Sequence, residues 1–243
     1  MQKEGRIYGV GLGPGALDLL SVRADKLVRG ADHIAYFRKA GKPGHARQLV
    51  NEIISKNATE FAMEYPVTTE ISLSDPAYNQ ILSTFYDSCC THLGSLCDGG
   101  SDVIVLCEGD PFFYGSFMHL HRRLLPKYEV QVVPAITGMS GAWTATNMPI
   151  TWGDDVLTVL MGTLPEDEIQ RKIADTDAAI IMKVGRHLAK IKKALHAANK
   201  LEDAYIIEYA TMANQNICLL TDYQPATAPY FSIIALHGHG RRP

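Results

Sequence analysis

Two periods of apolar residues alternate along this chain. Short continuous runs read as buried strands, and between them apolar residues recur three and four apart, the spacing of an amphipathic helix. The first run begins at Ile7, and Ala24, Leu27, Val28 and Ala31 then share a helix face behind Ser21, a natural N-cap. A second strand is expected at His33–Phe37, then a helix carrying Ala46, Leu49, Val50, Ile53 and Ile54, and a strand at Thr59–Tyr65. Residues 66–74 form a polar connection. Asp75-Pro76 is a cap followed by an N1 proline, and it opens a helix with Tyr78, Ile81, Leu82, Phe85, Cys89 and Leu93 on its core side, ended by Gly99 and Gly100. Val103–Cys107 and Val130–Val133 are further strands, separated by a helix bearing Phe117, Leu120 and Leu124.

Strictly alternating strands and helices predict an α/β fold with a largely parallel sheet in the first part of the chain. Asn147–Asp154 is punctuated by Pro and Gly and crossed by no periodicity, so it reads as a linker between domains 1–149 and 150–243. Beyond it, strands are expected at Val156–Leu160, Ala179–Met182, Ala204–Tyr209, Ile217–Thr221 and Tyr230–Leu236, with helices at Glu166–Ile173 and His187–Ala198. The later strands follow one another closely, which predicts a second α/β domain with mixed strand directions. Lys190, Lys192 and Lys193 read as the wet face of its second helix.

Three strands end in loops of small residues. Gly9, Gly11, Gly13 and Gly15 alternate around Pro14; Glu108-Gly109-Asp110-Pro111 follows the Val103 strand; Pro134–Gly141 follows the Val130 strand. Glycine permits positive φ and close backbone approach, and ligands of open α/β sheets bind beyond the carboxyl ends of the strands. The first loop also fits a dinucleotide fingerprint through Gly11, Gly13 and Ala16, with Asp32 as the downstream acid, which keeps a nicotinamide-dependent oxidoreductase open. Against that, five residues separate Ala16 from Ser21, and Pro14 removes an N–H where a phosphate needs one. Asp110 either accepts from a ligand or caps the helix that follows.

A net charge of -3 argues against a general nucleic-acid binder. Within that balance, Arg38, Lys39, Lys42 and Arg47 fall within ten positions, either as a solvated turn or as a site for carboxylates or phosphates. The five cysteines contain no C-x-x-C pair and read as small core thiols. His119 and His121 are two apart on a helix and so face apart, and His237 and His239 sit beside Arg241 and Arg242 in what reads as a flexible end, so no metal is expected. No apolar run reaches bilayer length and Met1–Arg6 is polar, so a cytoplasmic protein is expected, with no membrane or nucleic-acid partner.

With the loops in view, the chain resembles the tetrapyrrole methyltransferase family. G-x-G-P-G at Gly11–Gly15, G-D-P at Gly109–Pro111, the Pro134–Gly141 loop and the Tyr230–Leu236 strand carry the likeness over nearly the whole length. The Ala35–Arg47 and Met182–Arg186 stretches are similar to the cobalt-free branch of that family, acting on carbon 20 of precorrin-2; the cobalt-loaded substrate, or another macrocycle carbon, is the sister reading. Glu108 and Ala135 depart from the glycines common in other branches. The resemblance implies two α/β domains with S-adenosylmethionine in the cleft between them, a homodimer, and a tetrapyrrole substrate. It implies cofactor contacts from Pro14, Glu108, Gly109, Asp110, Phe113, Thr137, Gly138, Met182, Tyr209, Ala210 and Ser232, with Arg38, Lys39, Lys42 and Arg47 facing the substrate's carboxylates.

Overall fold

A computed structural model describes residues 5–68 and 75–240. Residues 69–74 of the expected polar connection, and Arg241 and Arg242 of the tail, lie outside the described residues. The chain divides into two compact units, Met1–Thr137 and Gly138–Pro243.

In the first unit the strands are β1 (Ile7–Gly11), β2 (His33–Lys39), β3 (Thr59–Tyr65), β4 (Val103–Cys107) and β5 (Val130–Val133). They form one sheet in the order β3-β2-β4-β1-β5, parallel at every pairing. β1 and β4 are interior to that sheet and buried along their whole length, which is why both read as unbroken apolar runs. The helices are α1 (Val22–Arg29), α2 (His45–Leu49), α3 (Pro76–Asp98) and α4 (Phe117–Leu124). α1 starts where Ser21 predicts, its Oγ accepting the Ala24 N–H at 3.1 Å, and α3 starts where Asp75 accepts the Ala77 N–H at 2.9 Å.

One face of the sheet packs Val10, Ile34 and Tyr36 against Ala24, Val28, Ala46 and Val50. The other packs Ile7, Val103 and Val105 against Leu93, Cys97, Phe117 and Leu120. Each such large side chain, fully buried, is worth about 1.5–3 kcal/mol, so the two faces hold the helices in place.

Two expectations change here. β2 runs on to Lys39, so Arg38 and Lys39 belong to a strand rather than to a loop. The helix expected from Ala46 to Ile54 stops at Leu49: the β-branched Val50, Ile53 and Ile54 are weaker helix formers, Asn51 among them favours turns, and the Asn51 and Ile53 N–H groups bond three residues back.

The second unit opens with α5 (Gly138–Ala145), so half of the expected third loop is helix. Its strands are β6 (Leu157–Met161), β7 (Ala178–Met182), β8 (Ala204–Glu208), β9 (Asn216–Leu219) and β10 (Ser232–Leu236), with α6 (Glu166–Ala174) and α7 (Leu188–Ala197) between them. The sheet order is β6-β7-β10-β8-β9; β6 and β7 are parallel and the other pairings antiparallel, the mixed directions expected.

The chain divides ahead of the boundary expected at 149/150. Ala142 and Ile150 are buried with Ala178, Ile180, Ile207 and Ala235, so α5 belongs to the second core. The tail is also anchored: His237 Nδ1 lies 2.9 Å from the Pro149 carbonyl, and the Gly238 N–H donates to the Ile150 carbonyl at 2.9 Å. Lys190 and Lys192 are not simply wet, since each ammonium donates to a backbone carbonyl, of Leu164 and Tyr223 respectively.

Candidate functional site

In the first unit the tips of β1, β4 and β5 meet. The Leu12 N–H donates to the Cys107 carbonyl at 2.9 Å, and Gly13 and Gly109 pair as an isolated antiparallel bridge, with the Gly109 N–H donating to the Gly13 carbonyl at 3.0 Å. Both glycines have left-handed backbones, φ 77° and 64°, which any Cβ would strain. A Cβ on Gly11 would lie 2.6 Å from the Ala135 Cβ, 2.8 Å from the Gly109 oxygen and 2.9 Å from Pro111 Cδ. Residues of all three loops therefore occupy one small volume at the carboxyl edge of the sheet. Pro14 is buried there, and Glu108, Gly109, Asp110 and Phe113 are half-buried.

Asp110 does not cap the helix that follows. Its Oδ1 accepts the Phe112 N–H and its Oδ2 the Ala135 N–H, both at 2.9 Å, so its carboxylate ties the second loop to the third. The following helix, α4, has Ser116 at its N-cap, with no side-chain capping bond. Thr137 ends the first unit and Gly138 opens α5 of the second.

The dinucleotide fingerprint does not match this geometry. A short 3-10 turn, Leu17–Leu19, intervenes before α1, so the glycine loop does not feed a helix N-terminus. Asp32 precedes β2, at the amino edge of the sheet, whereas Gly13 and Gly109 are at the carboxyl edge.

In the second unit Met182, Tyr209, Ala210 and Ser232 gather at one edge of the sheet. Met182 ends β7, Tyr209 and Ala210 follow β8, and Ser232 opens the antiparallel β10 opposite Glu208, with the Tyr209 N–H donating to the Phe231 carbonyl at 2.8 Å. Three side-chain-bearing residues at this edge have left-handed backbones: Lys183 (φ 54°), Tyr209 (φ 50°) and Thr211 (φ 67°). Such strain is concentrated at functional sites, and a β-branched residue there is an outlier. Ser232 is 3% exposed, and its Oγ has no hydrogen-bond partner among the described residues. A buried unsatisfied hydroxyl costs about 1–3 kcal/mol, and a polar ligand at this edge would relieve it.

Sequence reasoning names Lys183 only as the neighbour that could take the place of Met182, and it misses Thr211 and Gly162. Gly162 directly follows β6 and gives its N–H to the Met182 carbonyl at 2.7 Å; a Cβ there would lie 2.8 Å from the Lys183 oxygen. A glycine just past an apolar strand is the signal that marks it. No sequence signal marks the left-handed Lys183 and Thr211.

The four basic residues are distributed over β2, α2 and the turn between them. Arg38 is paired with Glu64, its partner in the β2–β3 register, and Arg47 forks onto Glu60 at 2.6 and 2.8 Å. Both guanidinium groups are thus already matched by carboxylates of β3. The Arg47 guanidinium holds the Glu60 carboxyl below its usual range, and the same contact raises Arg47. Lys39 and Lys42 are exposed.

Other expected chemistry is structural. All five cysteines are free, and burial pushes the Cys89 thiol up to about 12 and the Cys90 and Cys97 thiols to about 11. His119 stacks on Tyr86 with ring centroids 4.6 Å apart, and His121 meets Phe112 edge-on at 4.7 Å. Among the described residues no group of three or more His, Cys, Asp or Glu could hold a metal ion, and no helix is long and apolar enough to cross a membrane.

Comparison with known proteins agrees with this arrangement. The model of the tetrapyrrole (corrin/porphyrin) methylases matches residues 6–223. A precorrin-2 C(20)-methyltransferase from Sinorhizobium sp is 46% identical over 239 residues, 98% of each chain. Among solved structures, a cobalt precorrin-4 methyltransferase of cobalamin biosynthesis superposes with a TM-score of 0.73 at 19% identity, covering 95% of this chain and 93% of its own. A uroporphyrin-III C-methyltransferase from Thermus thermophilus, complexed with S-adenosylhomocysteine, gives 0.64 at 19% identity over 96% and 92%. The chain, with its two α/β units and glycine-lined strand tips, belongs to the tetrapyrrole (corrin/porphyrin) methylase family.

Proposed function

We propose that this protein transfers a methyl group from S-adenosylmethionine to carbon 20 of precorrin-2, giving precorrin-3A in cobalamin biosynthesis. The observation that carries this is the 46% identity, over 98% of both chains, to a precorrin-2 C(20)-methyltransferase.

The residues present fit a polar, sulfonium-bearing cofactor. The unpartnered Ser232 hydroxyl supplies a buried polar group, and the Tyr209 and Lys183 backbones are strained in the way ligand-holding segments are. When bound, S-adenosylmethionine supplies a methyl group already activated by its positive sulfur. The task left to the chain is to bind, orient and keep dry. Holding two reactants in register contributes about 7–11 kcal/mol toward the barrier. Pro14, Glu108, Gly109, Asp110, Phe113, Thr137 and Gly138 are the candidate contacts around the three strand tips, with Met182, Tyr209, Ala210 and Ser232 at the edge of the second sheet. Arg38, Lys39, Lys42 and Arg47 are the candidate partners of the substrate's carboxylates. A homodimer and a cytoplasmic location belong to the same proposal.

The test is incubation of the purified protein with precorrin-2 and isotope-labelled S-adenosylmethionine. Labelled methyl at carbon 20 by NMR is the expected result, and the absence of any methylated tetrapyrrole overturns the reading. Rates with metal-free and cobalt-loaded macrocycle separate the two forms of the carbon-20 reaction. Titration with NAD(P)H, expected to give no binding, tests the oxidoreductase alternative.

A further inference from the structure

An open groove of about 520 Å³ lies on the α2 face of β2 and β3, lined in part by Tyr36, Arg38, Gly44, Arg47, Gln48 and Glu60. Arg38 in its lining is at the carboxyl end of β2, while Glu60 lies deeper, opposite Ile34; β2 is the sheet neighbour of β4, whose tip carries Glu108 and Gly109. Adjacent strands are about 4.8 Å apart, so a macrocycle seated near the β4 tip reaches the groove with one edge.

The groove's cations are already matched by internal carboxylates. Arg47 makes a bidentate pair with Glu60 and a further bond to Asn51 Oδ1 at 3.2 Å, and its side chain is only 21% exposed. Tyr36 adds a side-chain hydrogen bond to the same Glu60 carboxylate. Arg38 is held by Glu64. A carboxylate arriving from solution must therefore displace one tethered to the fold, which competes at the high effective concentration of an intramolecular group. Free monocarboxylates lose that competition. A ligand presenting several carboxylates at once gains from each exchange, because every fork it takes is again filled with good geometry.

We infer that Glu60, and Glu64 four residues further along β3, are placeholder carboxylates that keep the Arg47 and Arg38 forks closed to simple carboxylates and yield them to the carboxylated edge of a tetrapyrrole. The inference rests on the methyltransferase reading for the identity of the macrocycle. Glu60 is on this account a specificity-determining residue: each arginine fork is refilled by a ligand carboxylate, and the displaced Glu60 and Glu64 carboxylates, 31% and 42% exposed, turn to solvent, where water takes their hydrogen bonds.

The test uses variants with opposite expected signs. Binding of uroporphyrin, a fluorescent porphyrin carrying a carboxylate on every side chain, is titrated against wild type, Glu60→Gln, Glu64→Gln and Arg47→Ala, and the KM for precorrin-2 is measured alongside. Losing the competitor tightens uroporphyrin binding and lowers the macrocycle KM by about twofold to fivefold in Glu60→Gln, the upper range of a solvent-accessible ion pair, while the KM for S-adenosylmethionine stays put. Arg47→Ala weakens binding by a similar or larger factor. In addition, acetate inhibits Glu60→Gln more strongly than wild type. If Glu60 and Arg47 only staple α2 to β3, both variants weaken binding together, or neither changes it, and the inference falls. Should Glu60→Gln fold poorly, Glu64→Gln carries the same signed expectation through Arg38. A wild-type protein that neither methylates precorrin-2 nor binds uroporphyrin overturns the functional reading itself, a result distinct from same-signed variants in an active enzyme.

Discussion

The Asp110 carboxylate receives the Ala135 N–H at 2.9 Å, joining the loop after β4 to the loop after β5. Its other oxygen closes the local turn at Phe112. Both bonds are charge-assisted and both donors are backbone, so one side chain sets the spacing of two loops at the sheet's carboxyl edge.

Asp110→Asn puts that coupling to the test. An amide offers one acceptor oxygen and turns an NH2 toward the second backbone donor, so one bond is lost and a donor–donor contact replaces it. Hydrogen bonds to charged groups contribute about 1.5–3 kcal/mol, and the first unit loses about that much in urea unfolding. Affinity for S-adenosylhomocysteine falls by about tenfold or more in calorimetry. An unchanged affinity would show that the second and third loops need no coupling to hold the cofactor.

Gly11→Ala inserts a methyl group where Ala135, Gly109 and Pro111 already crowd within 2.9 Å. Overpacking of this kind costs about 1–3 kcal/mol, and here the relaxation must move the loops that the site is built from. Methyl transfer drops by more than tenfold while far-UV circular dichroism stays native. Gly41→Ala is the control, because nothing lies within 4 Å of a Cβ there, although its φ of 69° carries a modest backbone cost.

Much of this arrangement is legible from local rules. Ser21 and Asp75-Pro76 mark their helices because capping is decided within one turn, and Gly11 and Gly109 mark strand tips because crowding leaves no room for a Cβ at the first and a left-handed backbone disfavours one at the second. What stays hidden depends on register or on long range. Arg38 pairs with Glu64 only because β2 and β3 align those two positions, and no spacing in the chain announces it. His237, in an end that reads as flexible, is fixed by Pro149 and Thr146, far away in sequence. The left-handed backbone of Tyr209 and Thr211 is likewise invisible, because the residues that favour such φ values are Gly and Asn.

Ser232→Ala has two effects of opposite sign. Without ligand the buried Oγ is unsatisfied among the described residues, so removing it leaves stability unchanged or raises it by about 1 kcal/mol. With S-adenosylhomocysteine present the hydroxyl's new bond is missing, and the ligand-induced rise in Tm shrinks. Thermal scans of both proteins, with and without that ligand, measure both effects. An equal ligand-induced rise in the two proteins would remove Ser232 from the cofactor contacts.

The Arg47–Glu60 pair gives a pH-dependent stability with a definite sign. Hydrogen bonding to Arg47 is the main reason the folded Glu60 carboxyl lies below its ordinary 4.5, with Tyr36 adding to it and partial burial opposing. A carboxyl depressed on folding contributes its stability fully above the unfolded value and loses it as pH falls through the folded value. Arg47 and Tyr36, the groups facing it from α2 and β2, are both raised from values already far above this range, so they do not titrate there. The stability difference between wild type and Glu60→Gln is therefore flat from neutral pH down to about pH 5, and it shrinks as the pH drops below 4.5. Urea unfolding of both proteins across that range checks it. A difference that stayed constant down to pH 3, or grew as acid was added, would mean that the Glu60 carboxylate is not held by Arg47 in solution.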